Sequence, residues 1–150
     1  MRSDLFNSTF EMELRVALLL CVRAKQPCSL ERLLALDFIS CYAGSFGFTE
    51  TNLHGDNSFM YSELSSRREL LREAIKPLVY RGVVEPLINR GYLYQITDAG
   101  SKYVLSLESE YSREYREIAE LVINELSNYS DEELMRMIQF KSDSMRKDAE

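Results

Sequence analysis

The sequence has few of the residues from which metal and redox sites are built. It contains one histidine, His54, and three cysteines, Cys21, Cys28 and Cys41. No two cysteines form a Cys-x-x-Cys pair, and their spacing does not fit a structural zinc site. An odd, unpaired set of thiols is typical of a reducing compartment. We therefore expect no metal and no cofactor.

Long apolar runs are also missing. The longest, Val16–Val22, is far shorter than the ~20 residues that span a bilayer. The first residues, Met1–Asp4, lack the apolar segment and small-residue cleavage site of a signal peptide. These absences predict a cytoplasmic protein that does not contact a membrane.

The chain has no surplus of positive charge. It carries 18 basic and 24 acidic residues, for a formal net charge of −6. Residues 101–150 hold most of the imbalance, with seven basic and twelve acidic residues. Proteins that bind nucleic acid without sequence preference usually show the opposite balance. Only a local basic patch can therefore serve such binding here.

The usual signatures of catalysis are absent. There is no phosphate-binding loop, and Gly44–Gly47 is too short for a dinucleotide fingerprint, so a plain turn explains it better. The glutamates of residues 108–117 are typical of a solvated helix face. One alternative stays open, in which His54 and Asp56 form an acid–base pair of a small hydrolase. We expect no enzyme and no small-molecule substrate.

The N-terminal half predicts helices separated by a long loop. Ser8 and Glu11 fit a capping box that starts a helix to about Arg23. Because this helix is apolar on nearly every side, we expect it at the centre of the domain. Ser29 caps a second helix, Leu30 to about Ser40. Helical periodicity then disappears over residues 42–60, and turn-forming glycine, asparagine and aspartate residues occur there, which predicts a loop. Ser62 starts a third helix.

The C-terminal half predicts a hairpin and more helix. Val83–Val84 and Tyr92–Ile96 are expected to be strands, joined by the turn residues 89–91. Thr97 then caps a long helix running to about Leu126. A last short helix follows from Ser130, with a fraying charged tail. This organisation predicts a domain of residues 1–128 and a terminal segment of residues 129–150.

The order of these elements indicates the fold class. Three helices, a hairpin and a further helix, in a mostly α (α+β) chain, are the order of a winged helix-turn-helix domain. Arg81–Glu85 resembles the junction between the third helix and the wing. Tyr94–Gly100 resembles the junction between the wing and the next helix. An unrelated α+β domain with a hairpin is the alternative.

The third helix carries a basic ridge. Its residues, with one at the hairpin turn, are candidate contacts to a nucleic-acid backbone: Arg67, Arg68, Arg72, Lys76 and Arg90. Glu69 and Glu73 lie beside this ridge and can pair with it within the helix. The loop before the helix is longer than a DNA-reading turn. A self-paired, solvated face is therefore the favoured interpretation of the ridge.

Several segments together resemble one bacterial protein family, the small middle component of ABC-three-component systems, which include the Lamassu type of anti-phage defence. The resemblance covers the chain to about Leu126, and the segments are Leu5–Ser8, Leu36–Phe38, Asn52–Asn57, Arg67–Leu70 and Glu114–Glu117. It implies a non-catalytic subunit that lies between an SMC-like ATPase and an effector, commonly a nuclease. DNA contact in the assembled complex would then be non-specific.

The most distinctive of these segments is a candidate partner interface. It consists of Asn52, Leu53, His54, Gly55, Asp56 and Asn57. The alternative is that the loop keeps these residues only because its turns require them. A tyrosine-rich stripe from Tyr103 through Tyr111 and Tyr115 is likewise either core or interface. The leading hypothesis is an adaptor subunit, and the alternative is a winged-helix DNA-binding transcriptional regulator.

Overall fold

The computed structural model describes residues 8–56 and 60–149. This part of the chain is mostly helical with one antiparallel hairpin, which confirms the predicted α+β class. A 3₁₀ helix at Met60–Glu63 leads into the third α-helix. The helices are α1 (Thr9–Arg23), α2 (Leu30–Cys41), α3 (Leu64–Tyr80), α4 (Asp98–Leu105), α5 (Glu110–Glu125) and α6 (Asp131–Ala149), and the strands are β1 (Val84–Ile88) and β2 (Tyr92–Ile96).

Hydroxyl side chains cap five of these helices. The oxygens of Ser8, Ser29, Thr97, Ser109 and Ser130 each accept a hydrogen bond from the backbone N–H three residues later, at 2.9–3.1 Å. Each bond satisfies a donor that the first turn of a helix leaves unpaired. The first three caps were expected from the sequence.

Helix α1 forms the centre of the fold, as predicted. It packs against α2, α3, α4, α5 and β2. Residues Val16–Leu20 are all fully buried, which explains why the helix has no polar face over that turn. Burying an apolar side chain of this size contributes about 1.5–3 kcal/mol. Helix α6 packs at the periphery, on α2 and the 3₁₀ helix.

The hairpin is held to the body at its base. Val84 of β1 pairs with Ile96 of β2, and both are buried. On its other edge, β2 bonds the chain between α1 and α2. Cys28 N–H donates to the Tyr94 carbonyl at 2.9 Å, and Tyr94 N–H donates to the Cys28 carbonyl at 2.8 Å. The observed β1 is longer than the predicted Val83–Val84.

The two junctions that flank the hairpin contact each other. Gly82 ends α3 with a φ of 78°, a left-handed conformation that glycine adopts without a Cβ clash. The Thr97 hydroxyl donates to the Gly82 carbonyl at 2.6 Å. A Cβ on Gly100 would lie 2.1 Å from the Val83 carbonyl oxygen. The glycine therefore allows α4 to approach the residues that lead from α3 into β1.

Replacing Gly100 with alanine is expected to destabilise the fold by about 1–2 kcal/mol, because the backbone must move to relieve overpacking. Urea unfolding of the purified chain measures the change. Ser101→Ala, at the next position of the same helix, is the control and should be close to neutral. Equal stability of the two variants would contradict the close approach.

The long helix predicted from Thr97 to Leu126 is wrong. The structure has two helices, α4 and α5, separated at residues 106–109. The Ser106 hydroxyl bonds back to the Tyr103 carbonyl at 2.6 Å, and Ser109 caps a new helix. Serine side chains compete with helical hydrogen bonds in this way. Tyr103 is consequently on α4 and 46% exposed, whereas Tyr115 on α5 is buried.

The C-terminal segment is more regular than predicted. Residues 131–149 form one helix of 19 residues, in place of a short helix and a fraying tail. Ser130 and Glu133 hydrogen-bond reciprocally at its start, at 3.0 and 3.1 Å. Leu134 and Ile138 are buried, which fixes the helix on the domain. None of the helices in the described residues is long and apolar enough to cross a membrane.

Candidate functional site

The loop that carries the most distinctive sequence segment folds tightly against the end of α2. Asn52 fixes its shape, because its Oδ1 accepts from Ser45 N–H at 2.8 Å and its Nδ2 donates to Ser45 Oγ at 2.9 Å. The backbone N–H of His54 donates to the Cys41 carbonyl at 3.2 Å. Leu53 is half-buried and packs on the core. Asn57 lies outside the described residues.

The ring of His54 points into the protein. Its Nδ1 accepts from Arg67 Nη2 at 2.9 Å, and its Nε2 lies 2.7 Å from Tyr111 Oη. Since a guanidinium only donates, Nδ1 is the unprotonated nitrogen and Nε2 donates to the tyrosine. Burial, together with the charges of Arg15 and Arg67, lowers the pKa of His54 to about 2. The imidazole is therefore neutral at pH 7.

Asp37 lies at the centre of the same group of side chains. Its Oδ1 accepts from Arg15 Nε at 2.8 Å and from Tyr115 Oη at 2.7 Å, and its Oδ2 accepts from Arg67 Nη1 at 3.1 Å. All four side chains are at most 1% exposed. Burial alone would raise the pKa of Asp37, but the two guanidiniums and these hydrogen bonds outweigh it and hold the pKa at about 2.

We name this group the Asp37 network, and it consists of Arg15, Asp37, His54, Arg67, Tyr111 and Tyr115. It joins α1, α2, α3, α5 and the loop. Glu63 completes the charge balance, since its Oε2 accepts from Arg67 Nε at 3.4 Å and from Tyr42 Oη at 2.7 Å. Two arginines thus meet two carboxylates. Buried charges persist only when they are paired and hydrogen-bonded in this manner.

The hydrogen bonds and ion pairs of the Asp37 network link several elements of the fold. Both ring nitrogens of His54 are engaged, by Arg67 and by Tyr111, and neither bond involves Asp56. The thiol of Cys41 accepts from Arg67 at 3.4 Å, and burial raises its pKa to about 11, so it is protonated at pH 7. Among the described residues, no group of three histidines, cysteines or carboxylates has the arrangement of a metal site.

The predicted basic ridge separates into buried and exposed members. Arg67 faces the core and is fully buried, so it cannot reach a phosphate and its assignment as a DNA contact is wrong. The reason is its position one turn after Glu63 and four residues before the buried Leu71, on the inner face of α3. Arg68 pairs with Glu31 at 3.1 Å, and Arg72 pairs with Glu69 at 2.8 Å.

The two remaining members of the ridge are exposed. Lys76 lies on the outer face of α3, and Arg90 lies at the hairpin turn. They are separated by the last turn of α3 and the whole of β1. Because Arg67 is buried, the five predicted basic residues do not form one exposed patch.

Sequence reasoning missed most of the Asp37 network, although one signal was present. Arg15 directly precedes the apolar run of α1, and Asp37 lies between Leu36 and Phe38. Charged residues rarely occupy such positions unless they are paired. The signal indicates burial of each charge, but the partners of Asp37 come from elements that are 22, 30 and 78 residues away.

A second feature is a cleft on the surface, between the start of α1, the end of α3 and α4. Its volume is about 300 Å³. Phe10 and Tyr103 form its rim and are 68% and 46% exposed. Glu13 and Arg81 pair across it at 3.3 Å. The remaining lining residues are Leu14, Leu78, Gly82, Val83 and Ala99.

Comparison with known proteins identifies the family. The model of the ABC-three component (ABC-3C) system Middle Component 2 family matches residues 5–148. No curated protein and no solved structure gives a significant match. The match covers nearly the whole chain, including the loop and all the residues of the Asp37 network. The chain therefore belongs to the ABC-three component (ABC-3C) system Middle Component 2 family.

Proposed function

We propose that the protein is a non-catalytic adaptor subunit of a bacterial defence complex. In this proposal it links an SMC-like ATPase to an effector, a nuclease, through protein–protein contacts, as in the Lamassu type of system. The family supports this role, because a middle component of a multi-subunit system has protein partners. The proposed location is the cytoplasm, with no cofactor and no small-molecule substrate.

We interpret the fold as a winged helix. The interpretation is supported by the order of α1, α2, α3, the hairpin and α4, and by the contact of β2 with residue Cys28 before α2. Winged helices serve both DNA and protein partners, so the fold alone does not decide the function. The composition of the surface is the better guide to which kind of partner binds.

The observation that carries the adaptor proposal is the cleft rimmed by Phe10 and Tyr103. Exposed aromatic side chains beside an apolar depression are typical of protein interfaces, where aromatic anchors provide much of the binding energy. The cleft floor is apolar, with Leu14 and Leu78, and one ion pair crosses it. Such a surface fits an apolar side chain of a partner protein.

The ridge of α3 gives less support to the alternative, a transcriptional regulator. Arg68 and Arg72 already pair with carboxylates of this chain, and Glu73 adds a further negative charge on the exposed face. These carboxylates cancel much of the positive charge that would attract a phosphate backbone. The charge balance of the ridge therefore favours the protein-binding role.

Replacing both Phe10 and Tyr103 with serine is expected to weaken binding to a partner component at least tenfold. The loss follows from removing two aromatic anchors from one interface. Co-expression with the ATPase and effector components, followed by affinity purification and titration, measures it. The thermal stability of the variant should stay close to that of the wild type, because both rings lie at the surface and outside the core.

The matched control is Phe140→Ser, which removes a 77% exposed ring from α6, on another part of the surface. It should bind like the wild type. Failure of the wild-type chain to associate with any component of its system would overturn the adaptor role. Normal binding by the double variant would instead show that the cleft is not the interface.

A further inference from the structure

The free end of the hairpin is an exposed apolar surface with a single positive charge. Val84–Ile96, Pro86–Tyr94 and Ile88–Tyr92 are successive opposite pairs of the two strands. Because side chains alternate between faces, all three pairs lie on one face. The pair at the base is buried, whereas Ile88 and Tyr92 at the tip are 79% and 64% exposed.

The outer edge of β1 is not suited to adding another strand. Thr97 N–H donates to the Val83 carbonyl, so alternate pairs of the hairpin are hydrogen-bonded and Pro86–Tyr94 is not. The backbone groups of Tyr94 accordingly point away from β1, and they bond Cys28. Those of Pro86 point to the free edge, where proline has no N–H to donate. A partner must therefore contact side chains.

The charge at the tip comes from Arg90. It is the only charged residue between Glu85 and Asp98. In the part of the chain that the structure describes, no hydrogen bond or ion pair engages its guanidinium. Its φ of 57° is left-handed, which is uncommon for a residue with a side chain and presents Arg90 at the apex of the turn.

We propose that this hairpin tip, defined as Ile88, Arg90 and Tyr92, docks into an apolar pocket bordered by a carboxylate on another component of the ABC-3C complex. This inference rests on the proposed adaptor function and assigns it a second contact surface. Tyrosine and arginine are among the residues most enriched at energetic centres of protein interfaces. One cation beside two apolar side chains complements a carboxylate beside an apolar pocket.

The same features make nucleic acid the weaker choice. Affinity for a phosphate backbone grows with the number of cations that contact it, and the tip offers one. The next exposed cation along the chain before it is Arg81, at the far end of β1, where it pairs with Glu13. DNA binding by the tip is one of the outcomes that the experiment distinguishes.

The experiment uses the full chain with the ATPase and effector components, each titrated separately. Arg90→Asn removes the charge and keeps a residue that tolerates a left-handed φ, and it should weaken binding to one component about tenfold. Arg90→Lys should retain most of the affinity. Combining Ile88→Ser with Tyr92→Ser should weaken binding to the same component at least tenfold. Phe140→Ser is the control for loss of an exposed ring.

The outcomes separate this inference from the adaptor function. If the wild type binds neither component, both are overturned. If the wild type binds and the tip variants bind equally well, only the docking role of the tip is overturned. If Arg90→Asn leaves both components bound but abolishes a mobility shift of duplex DNA at low salt, the tip is a DNA contact and the inference is wrong.

Discussion

Replacing Asp37 with alanine is expected to destabilise the fold by about 3–5 kcal/mol. The substitution leaves the guanidiniums of Arg15 and Arg67 buried without their shared carboxylate, and it removes the acceptor of the Tyr115 hydroxyl. A loss of this size is a large fraction of the total stability of a small domain. Urea unfolding followed by circular dichroism measures it, or the variant fails to fold.

Two further variants show that charge, and not cavity formation, causes the loss. Asp37→Asn keeps the shape of the side chain but removes its charge, and should lose most of the same stability. Glu69→Ala breaks the exposed pair with Arg72 and should change stability little, since surface pairs contribute little. Similar effects of Asp37→Ala and Glu69→Ala would contradict the central position of Asp37.

The free energy of unfolding is expected to fall by about 2 kcal/mol between pH 7 and pH 5. Burial and the charges of Arg15 and Arg67 lower the pKa of His54 to about 2 in the folded chain, against an ordinary value of 6.5. Below pH 6.5 the unfolded chain therefore binds one proton more than the folded chain. Protonation favours the unfolded state, and stability decreases as the pH falls.

The chain is well suited to this measurement because His54 is its only histidine. The contribution of Asp37 to the free energy of unfolding is constant in this range. The stability that its lowered pKa provides is lost only as the pH falls from about 4 toward 2. His54→Gln cannot titrate, and should remove the dependence between pH 7 and pH 5 while lowering stability at pH 7. A wild-type profile that is flat over this interval would contradict a neutral His54 held between Arg67 and Tyr111.

The sequence predicts most of the secondary structure because the signals for it are local. Three helices begin with a side-chain oxygen that accepts a hydrogen bond from the N–H three residues later, at Ser8, Ser29 and Thr97. Gly82 adopts the left-handed conformation expected at the end of a helix. Residues 42–56 have neither helix nor strand. The prediction fails at residues 106–109. Apolar residues keep a helical spacing across this segment, but serine hydrogen bonds interrupt the helix there.

The Asp37 network is harder to predict from the sequence because its contacts join residues that are far apart in the chain. The sequence predicts that His54 is an interface residue or one member of an acid–base pair with Asp56. The structure places its ring against Arg67 and Tyr111. Arg67 was grouped with Arg68 and Arg72 on grounds of charge, although its position on α3 faces the core. One-dimensional spacing does not distinguish an exposed arginine from one that meets a carboxylate of another helix.

The distinctive loop therefore has a structural reason for its residues. Asn52 shapes the turn, and His54 inserts between α3 and α5. In our account, partner contacts lie at the cleft and the hairpin tip, where exposed aromatic side chains occur.

Nitrogen-15 NMR of the imidazole of His54 tests this account most directly. We expect one neutral tautomer, with the proton on Nε2, and no titration between pH 7.5 and pH 4.5. Such a result places the side chain within the Asp37 network as a structural group. Titration near pH 6.5, or a mixture of tautomers, would show a solvent-facing histidine and contradict the account.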